Sequence, residues 1–506
     1  NHFADIEIRE NINQLEQVVV TGQFSPQSMR NSLYRVRTVN SEQIRQKAPT
    51  SVQSLLNTEI GIRLSNDMAL GETDFELMGM SGNNVKILLD GIPLIDRGAT
   101  KQSLSQLDVN SIERVEIVEG PMSVVYGTDA LAGVINIITK KGDGYSEENT
   151  WRVGARVQEE SMGKEYDFFK DKGLHNESID LGFNHKSGLF VNGGYTRNNH
   201  GGWQGDLTGR EKRWHPKDQA LMNGMFGFQN RNMNVWYRLD FLDEKIFGPN
   251  NGSELQPEKV SDKDFLTKRY THQLQSDWKL DNRLDVHAAL SYQDYKRRTR
   301  TTESDLSTGE KWLSSAEASQ DITQYKAWIA RATVAWNIAP EFSVQPGVEY
   351  QWTQGEGGRI DGTPKVSDLA FFLSAEYKPW EWLSLRPGVR TFIVADYDAP
   401  IAIPSVLTKF KLTKHMDLRL SYAYGFRSPT LQELYFSFHN DNHDIDGNPD
   451  LKAEYSHNIT GSVAYRVLHS EKIHLTTTLS GFYNDFRDKI SLAQNVDIPN
   501  YNTYYN

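Results

Sequence analysis

From Trp151 onward the chain alternates. Leu284, Val286, Ala288, Leu290 and Tyr292 fall on one parity, with Asp285, His287, Ser291 and Gln293 on the other. Leu369, Phe371, Leu373, Ala375 and Tyr377 repeat the pattern, as do Leu418, Leu420, Tyr422, Tyr424 and Phe426. A period of two is that of a strand whose faces meet different surroundings. Such segments begin near 151, 178, 189, 220, 234, 270, 284, 327, 342, 369, 383, 403, 418, 458 and 473, which predicts about fifteen strands. Short connections fall around 185–188, 230–233, 280–283, 337–341, 378–382, 413–417 and 467–472. Long ones fall around 158–177, 197–218, 242–268, 296–325, 353–367, 393–402 and 427–457. Long loops kept to one end, with aromatics near the segment ends, predict an antiparallel transmembrane β-barrel over 146–506 rather than a soluble sandwich.

Before Lys141 the texture is different. Residues 84–140 contain three short buried strands punctuated by glycine turns: Val85, Ile87 and Leu89 alternate, as do Val115 and Ile117, and Asp90-Gly91 is a tight-turn pair. Residues 41–60 read as two helices, one starting near Ser41 and one at Ser51 with Val52, Leu55 and Leu56 on one face. A small α/β domain over 26–145 therefore precedes the barrel.

Composition narrows the class. No apolar run approaches the roughly 18 residues of a helical membrane span. The 506 residues include no cysteine, which excludes disulfides and thiolate metal sites. A net charge of -11 without a basic block argues against nucleic acid as a partner. There is no nucleophile elbow, HExxH, P-loop or paired cysteine motif, so neither an enzyme nor a catalytic cofactor is expected. Asn1, with no initiator Met or signal peptide, reads as the start of a trimmed or mature chain.

The stretch 84–140 closely resembles the plug domain of TonB-dependent outer-membrane receptors. Val85-Lys86-Ile87-Leu88-Leu89-Asp90-Gly91-Ile92-Pro93, then Ile112-Glu113-Arg114-Val115-Glu116-Ile117-Val118-Glu119-Gly120-Pro121, then Tyr126-Gly127 and Gly133-Val134-Ile135-Asn136-Ile137-Ile138-Thr139 follow the family order. Glu16, Gln17, Val18, Val19, Val20, Thr21 and Gly22, within 13–25, resemble the TonB box, a periplasmic segment suited to joining the sheet edge of TonB. Residues 1–12 are similar to the last strand of a β-sandwich extension, or form a tail. Two positions depart from the family: Met78 and Glu119 stand where arginine is usual, so plug-to-wall contacts are expected to differ. The resemblance implies a plug inside a twenty-two-stranded barrel, so about seven further strands, roughly 130–170 residues, are expected beyond Asn506. It also implies active import driven by TonB, with outer-membrane lipid around the barrel and in some relatives a cargo-capturing surface lipoprotein.

For cargo, Phe426-Arg427-Ser428-Pro429 and Asn448-Pro449-Asp450-Leu451, in the loop 426–451, are similar to the FRAP and NPxL boxes of receptors for haem, some siderophores and cobalamin, with Ser428 in place of the usual Ala. His439 and His443 lie between the boxes and are haem-ligand candidates, on one side if that segment is helical; they are equally explained as polar loop residues. The plug offers no second histidine between residues 23 and 150. Trp203, Trp214 and His215 are candidate vestibule side chains for stacking on a flat ligand, or girdle residues. Asp441, Asp444 and Asp446 are a candidate for loop calcium. Haem or another iron complex is the expected cargo, cobalamin the alternative, and a passive porin or surface adhesin the rival from another class.

Overall fold

The computed structural model describes residues 18–29, 31–67, 72–96, 102–142, 148–316, 318–357, 359–440, 443–469, 474–495 and 501–506. Residues 1–12, expected as a last strand or a tail, lie outside them, as do Glu16 and Gln17.

The small domain is built on one five-stranded sheet in the order Arg35–Asn40, Ile112–Glu119, Gly133–Thr139, Val85–Leu89, Ile92–Pro93. Gly133–Thr139 runs parallel to Val85–Leu89 and antiparallel to Ile112–Glu119. Its two central strands are buried at every position. Val85, Ile87 and Leu89 pack with Val52, Leu55 and Leu56 of the helix Val52–Leu56, while Leu88 joins Val118 and Val134 on the opposite face. Both faces are covered, which is why these strands read as apolar runs. The helices Ser41–Lys47 and Val52–Leu56 start with capping boxes on Asn40 and Ser51, which satisfy amides that the first turn leaves without partners.

Fifteen long strands follow in chain order, from Thr150–Glu160 to His474–Arg487, each antiparallel to the next. Every predicted strand is present. Their outer ends differ from expectation, however. Lys259–Lys279 has 21 residues and Leu284–Asp305 has 22, where roughly 9–11 suffice to cross the membrane. Much of the expected loops 242–268 and 296–325 is therefore ladder. Lys263, Lys268, Arg297 and Arg298 hid it, because a sheet that rises clear of lipid has polar residues on both faces. The outward face elsewhere exposes Val153, Leu181, Leu290, Phe371 and Leu420, and at a short turn the Trp380 and Trp382 rings stack at 5.2 Å. The described pairings do not join Thr150–Glu160 to His474–Arg487. On the outer side, Tyr501–Tyr505 pairs with Ser491–Gln494 and with the hairpin Ser437–Asn440 and His443–Asp446. No helix among the described residues is long and apolar enough to cross a membrane.

Candidate functional site

The N-terminal segment is pinned at two places. Val18–Val19 pairs with Gln27–Ser28, folding the segment back on itself; Val19 is buried and Val18 half exposed. Glu116, wholly buried in Ile112–Glu119, accepts the Val20 amide at 3.1 Å, the Thr21 amide at 2.8 Å and the Thr21 hydroxyl at 2.6 Å. Arg114 lies 2.9 Å from the same carboxylate. A buried carboxylate needs such company, since leaving it bare costs several kcal/mol, on the order of 3–5. One residue on, Gly22 donates its amide to the Tyr126 hydroxyl at 3.1 Å, and its carbonyl accepts from Arg386 of the barrel wall, which also pairs with Glu376.

The plug motif residues are structural. Asp90 and Gly91 both have positive φ, 50° and 84°, and form the tight turn between Val85–Leu89 and Ile92–Pro93. The Asp90 carboxylate then accepts the Thr139 hydroxyl at 2.7 Å, and Gly91 donates to Asn136 Oδ1 at 2.9 Å. Gly120 donates to the Ala132 carbonyl at 3.0 Å and leads into buried Pro121. At Gly127 the wall comes so close that a β-carbon would meet the Arg390 guanidinium at 3.0 Å. Tyr126 is buried beneath Arg331, whose guanidinium lies 5.2 Å from the ring centre.

The departures at Met78 and Glu119 are explained locally. Met78 packs against the plug's apolar core, and Glu119 pairs inside the plug with Arg35 at 2.7 Å and Arg37 at 2.8 Å. The most deeply buried guanidinium groups between plug and barrel come instead from the wall. Arg331 donates to the Val125 carbonyl at 2.7 Å, and Glu349 neutralises both Arg331 at 2.6 Å and Arg390 at 2.8 Å. On another side the wall offers mostly neutral amides, with buried Arg269, which donates to the Ile95 carbonyl at 2.6 Å, as the charged exception. Gln219 donates to the Ser105 carbonyl (2.9 Å), Gln273 to Leu89 (3.2 Å), Gln275 to Asp90 (2.9 Å) and Gln293 to Pro93 (2.7 Å).

Above the plug, the two loop boxes meet through one side chain. Arg427, almost fully buried, binds Glu433 at 2.8 and 3.0 Å and Glu454 at 2.9 Å. The box is tied to the plug as well: the Ser428 amide donates to Thr128 Oγ1 at 2.8 Å, and the Asp129 amide to the Phe426 carbonyl at 3.2 Å. Beneath this tie is a cavity of about 150 Å³ whose polar lining includes Lys86, Asp96, Asp129, Gln351, Asp368 and Tyr397. A larger chamber of about 630 Å³ lies farther out, bordered by Gln320, Asp361, Phe438 and His439.

The histidine segment is a hairpin, not a helix. His439 stands opposite Asp444 in the ladder and His443 opposite Asn440, so the spacing of four does not act as it would on a helix. His439 Nδ1 is 2.5 Å from Asp444 Oδ1 and Nε2 is 3.1 Å from Asp446 Oδ1. The hydrogen bond to Asp444, reinforced by Asp446, holds the imidazole above its ordinary pKa. Both ring nitrogens are thus engaged by carboxylates, and the same contacts engage Asp444 and Asp446, two of the three aspartates expected to hold calcium. Asp441 lies outside the described residues, among which no group of three or more metal-capable side chains occurs. Trp203 and Trp214 bridge each other through backbone bonds of 2.9 and 3.0 Å, with rings edge-on at 6.3 Å. They brace their own loop and line neither cavity. His215 packs against Gly248, where a β-carbon would meet its ring at 3.0 Å.

Comparison with known proteins bears on this arrangement directly. Residues 28–134 match the TonB-dependent receptor plug domain, and residues 125–506 match the TonB-dependent receptor-like β-barrel. The chain belongs to the TonB-dependent receptors. The iron-regulated outer membrane virulence protein of Vibrio cholerae serotype O1 is 25% identical across 94% of this chain and 69% of its own length. The ferrienterobactin receptor of Escherichia coli is 33% identical over 22% of this chain and 17% of its own. The siderophore receptor PirA from Pseudomonas aeruginosa shares the fold, with a TM-score of 0.71 at 16% identity over 93% of this chain and 79% of that one. The receptor is thus an outer-membrane protein of a transporter class rather than an enzyme class.

Several residues that organise the receptor escaped the sequence reading. Glu116 had a signal: a carboxylate flanked on both sides by apolar residues, Val115 and Ile117. Asp368 had a weaker one, as a charge on the inward parity beside Leu369. Arg331 and Arg386 had none, because the plug carbonyls they reach, of Val125 and Gly22, lie far away in the sequence, and Tyr397 had none either.

Proposed function

We propose that the receptor imports an iron chelate across the outer membrane, with TonB pulling on the segment Glu16–Gly22 to displace the plug. The observation that carries this reading is the attachment of Val20, Thr21 and Gly22 to Glu116 and Tyr126 of the plug, so that tension on the segment acts on the plug itself. Iron as cargo is supported by the names of the relatives, an iron-regulated outer membrane protein and a ferrienterobactin receptor. Haem draws no support from His439, whose nitrogens are engaged by carboxylates. Deleting residues 16–22 tests the mechanism. Uptake of radiolabelled iron from ferric siderophores should fall to background while surface binding persists; unchanged uptake would instead mark a passive porin or an adhesin. Purified receptor mixed with haem should show no Soret shift. A shift lost in a His439→Ala/His443→Ala double variant would return haem to first place, and binding of cyanocobalamin alone would favour cobalamin.

A further inference from the structure

The inner cavity has a chemical character that family membership does not supply. Its floor is the plug, with Lys86, Asp96 and Asp129; its wall includes Gln351 and Asp368, which face each other across a strand pair; and Tyr397 comes from a loop. Asp96 is already engaged, accepting the Ser103 amide and hydroxyl at 2.8 Å each, with Arg269 at 3.6 Å. Lys86, the one cation on the described lining, is 3.9 Å from Asp129 and only 6% exposed.

Asp368 is different. It is 7% exposed, yet among the described residues it accepts no hydrogen bond and forms no ion pair. The Tyr397 hydroxyl, on the same cavity, is also buried without a partner. Buried polar groups are nearly always satisfied, and each exception carries a desolvation cost. Two such groups on one cavity mark a place where a ligand supplies the missing partner.

We infer that this cavity receives a neutral or cationic, hydrogen-bond-donating arm of the cargo, with Asp368 and Asp129 as its acceptors and Tyr397 beside them. The inference rests on the iron-chelate reading and narrows it. A ferric hydroxamate bearing an ammonium or amide arm fits; a multiply anionic ferric catecholate does not. Charge decides between them, because an anion entering here meets the unpartnered Asp368 carboxylate, while the one cation, Lys86, already lies beside Asp129, whose other oxygen accepts the Thr128 hydroxyl at 2.8 Å. Size agrees. About 150 Å³ is less than the roughly 300–1,000 Å³ of sites that enclose a whole drug-sized ligand, so an arm enters rather than the entire chelate.

The test measures binding to detergent-purified receptor by quenching of intrinsic tryptophan fluorescence. One probe is ferrioxamine B, a hydroxamate with an ammonium arm; the other is ferric enterobactin, a catecholate. Ferrioxamine B should bind more tightly. Asp368→Asn should weaken it about 10- to 100-fold, the range of a charge-assisted hydrogen bond, while strengthening ferric enterobactin. Tyr397→Phe should weaken ferrioxamine B by about two- to tenfold. Asp368→Asn removes a buried unpaired charge, so folding does not limit the experiment. If both chelates bind and Asp368→Asn does not separate them, or if the wild-type receptor prefers the catecholate, the charge assignment is overturned. If neither chelate binds, the iron-chelate reading falls and takes this inference with it.

Discussion

The plug is held by two walls of different chemistry. Along Lys217–Gln229, Lys259–Lys279 and Leu284–Asp305, buried Gln219, Gln273, Gln275 and Gln293 each donate to a plug carbonyl. Along Ile322–Ala339, Phe342–Gly357, Lys365–Trp380 and Leu383–Ala395, the donors are Arg331 and Arg386, with Glu349 and Glu376 beside them. A neutral amide–carbonyl bond contributes about 0.5–1.5 kcal/mol net and can be exchanged for one to water. Removing one partner of a buried ion pair costs about 3–5 kcal/mol. The glutamine bonds can therefore be exchanged one by one, whereas the ion-paired contacts, which on the glutamine side include Arg269 beside Asp96, hold until their charges are separated. A seal does not need uniform strength.

Four changes probe that contrast, in falling order of effect. Glu349→Ala leaves Arg331 and Arg390 buried without their shared anion, and should destabilise the plug–wall contact by about 3–5 kcal/mol. The 506 residues include no cysteine, so urea-dependent labelling of a single plug cysteine introduced into them reads plug release directly. Glu119→Arg places a third guanidinium beside Arg35 and Arg37. It should destabilise the plug by roughly 1–3 kcal/mol in the same assay and alter transport while sparing cargo binding. Gln293→Ala should cost only about 1 kcal/mol. An effect as large as that of Glu349→Ala would erase the distinction between the walls.

The smallest effect lies outside both walls. His439 is exposed, and its pKa is raised by Asp444 and Asp446. Its pairing is therefore complete below the ordinary histidine value and is lost as pH rises through the higher folded value. Asp444→Asn should lower the midpoint followed by histidine NMR, with no measurable change in plug release.

How much could be read beforehand differed between these parts. Strand order and short turns were legible, because a period of two records which face meets lipid. Gln293 was correctly placed on the polar parity, yet nothing nearby announces that its partner is the Pro93 carbonyl. Strand ends were misjudged where the sheet leaves lipid and the contrast between faces fades, as in Lys259–Lys279. The helical condition set for the outer histidines does not apply, because their segment pairs as a hairpin. The inner cavity was not legible at all. Lys86, Asp129, Asp368 and Tyr397 come from four separate stretches, and only the packing of plug into barrel brings them together.

Three donors from two neighbouring residues converge on Glu116. Bonds that share one acceptor share a load, and when one yields the others inherit its part. Under a steady pull the attachment therefore has a threshold: it stays closed below a certain force and parts at once above it. Parting leaves the buried Glu116 carboxylate with Arg114 as its remaining partner. Glu116 is a fuse, placed in series with the domain it protects.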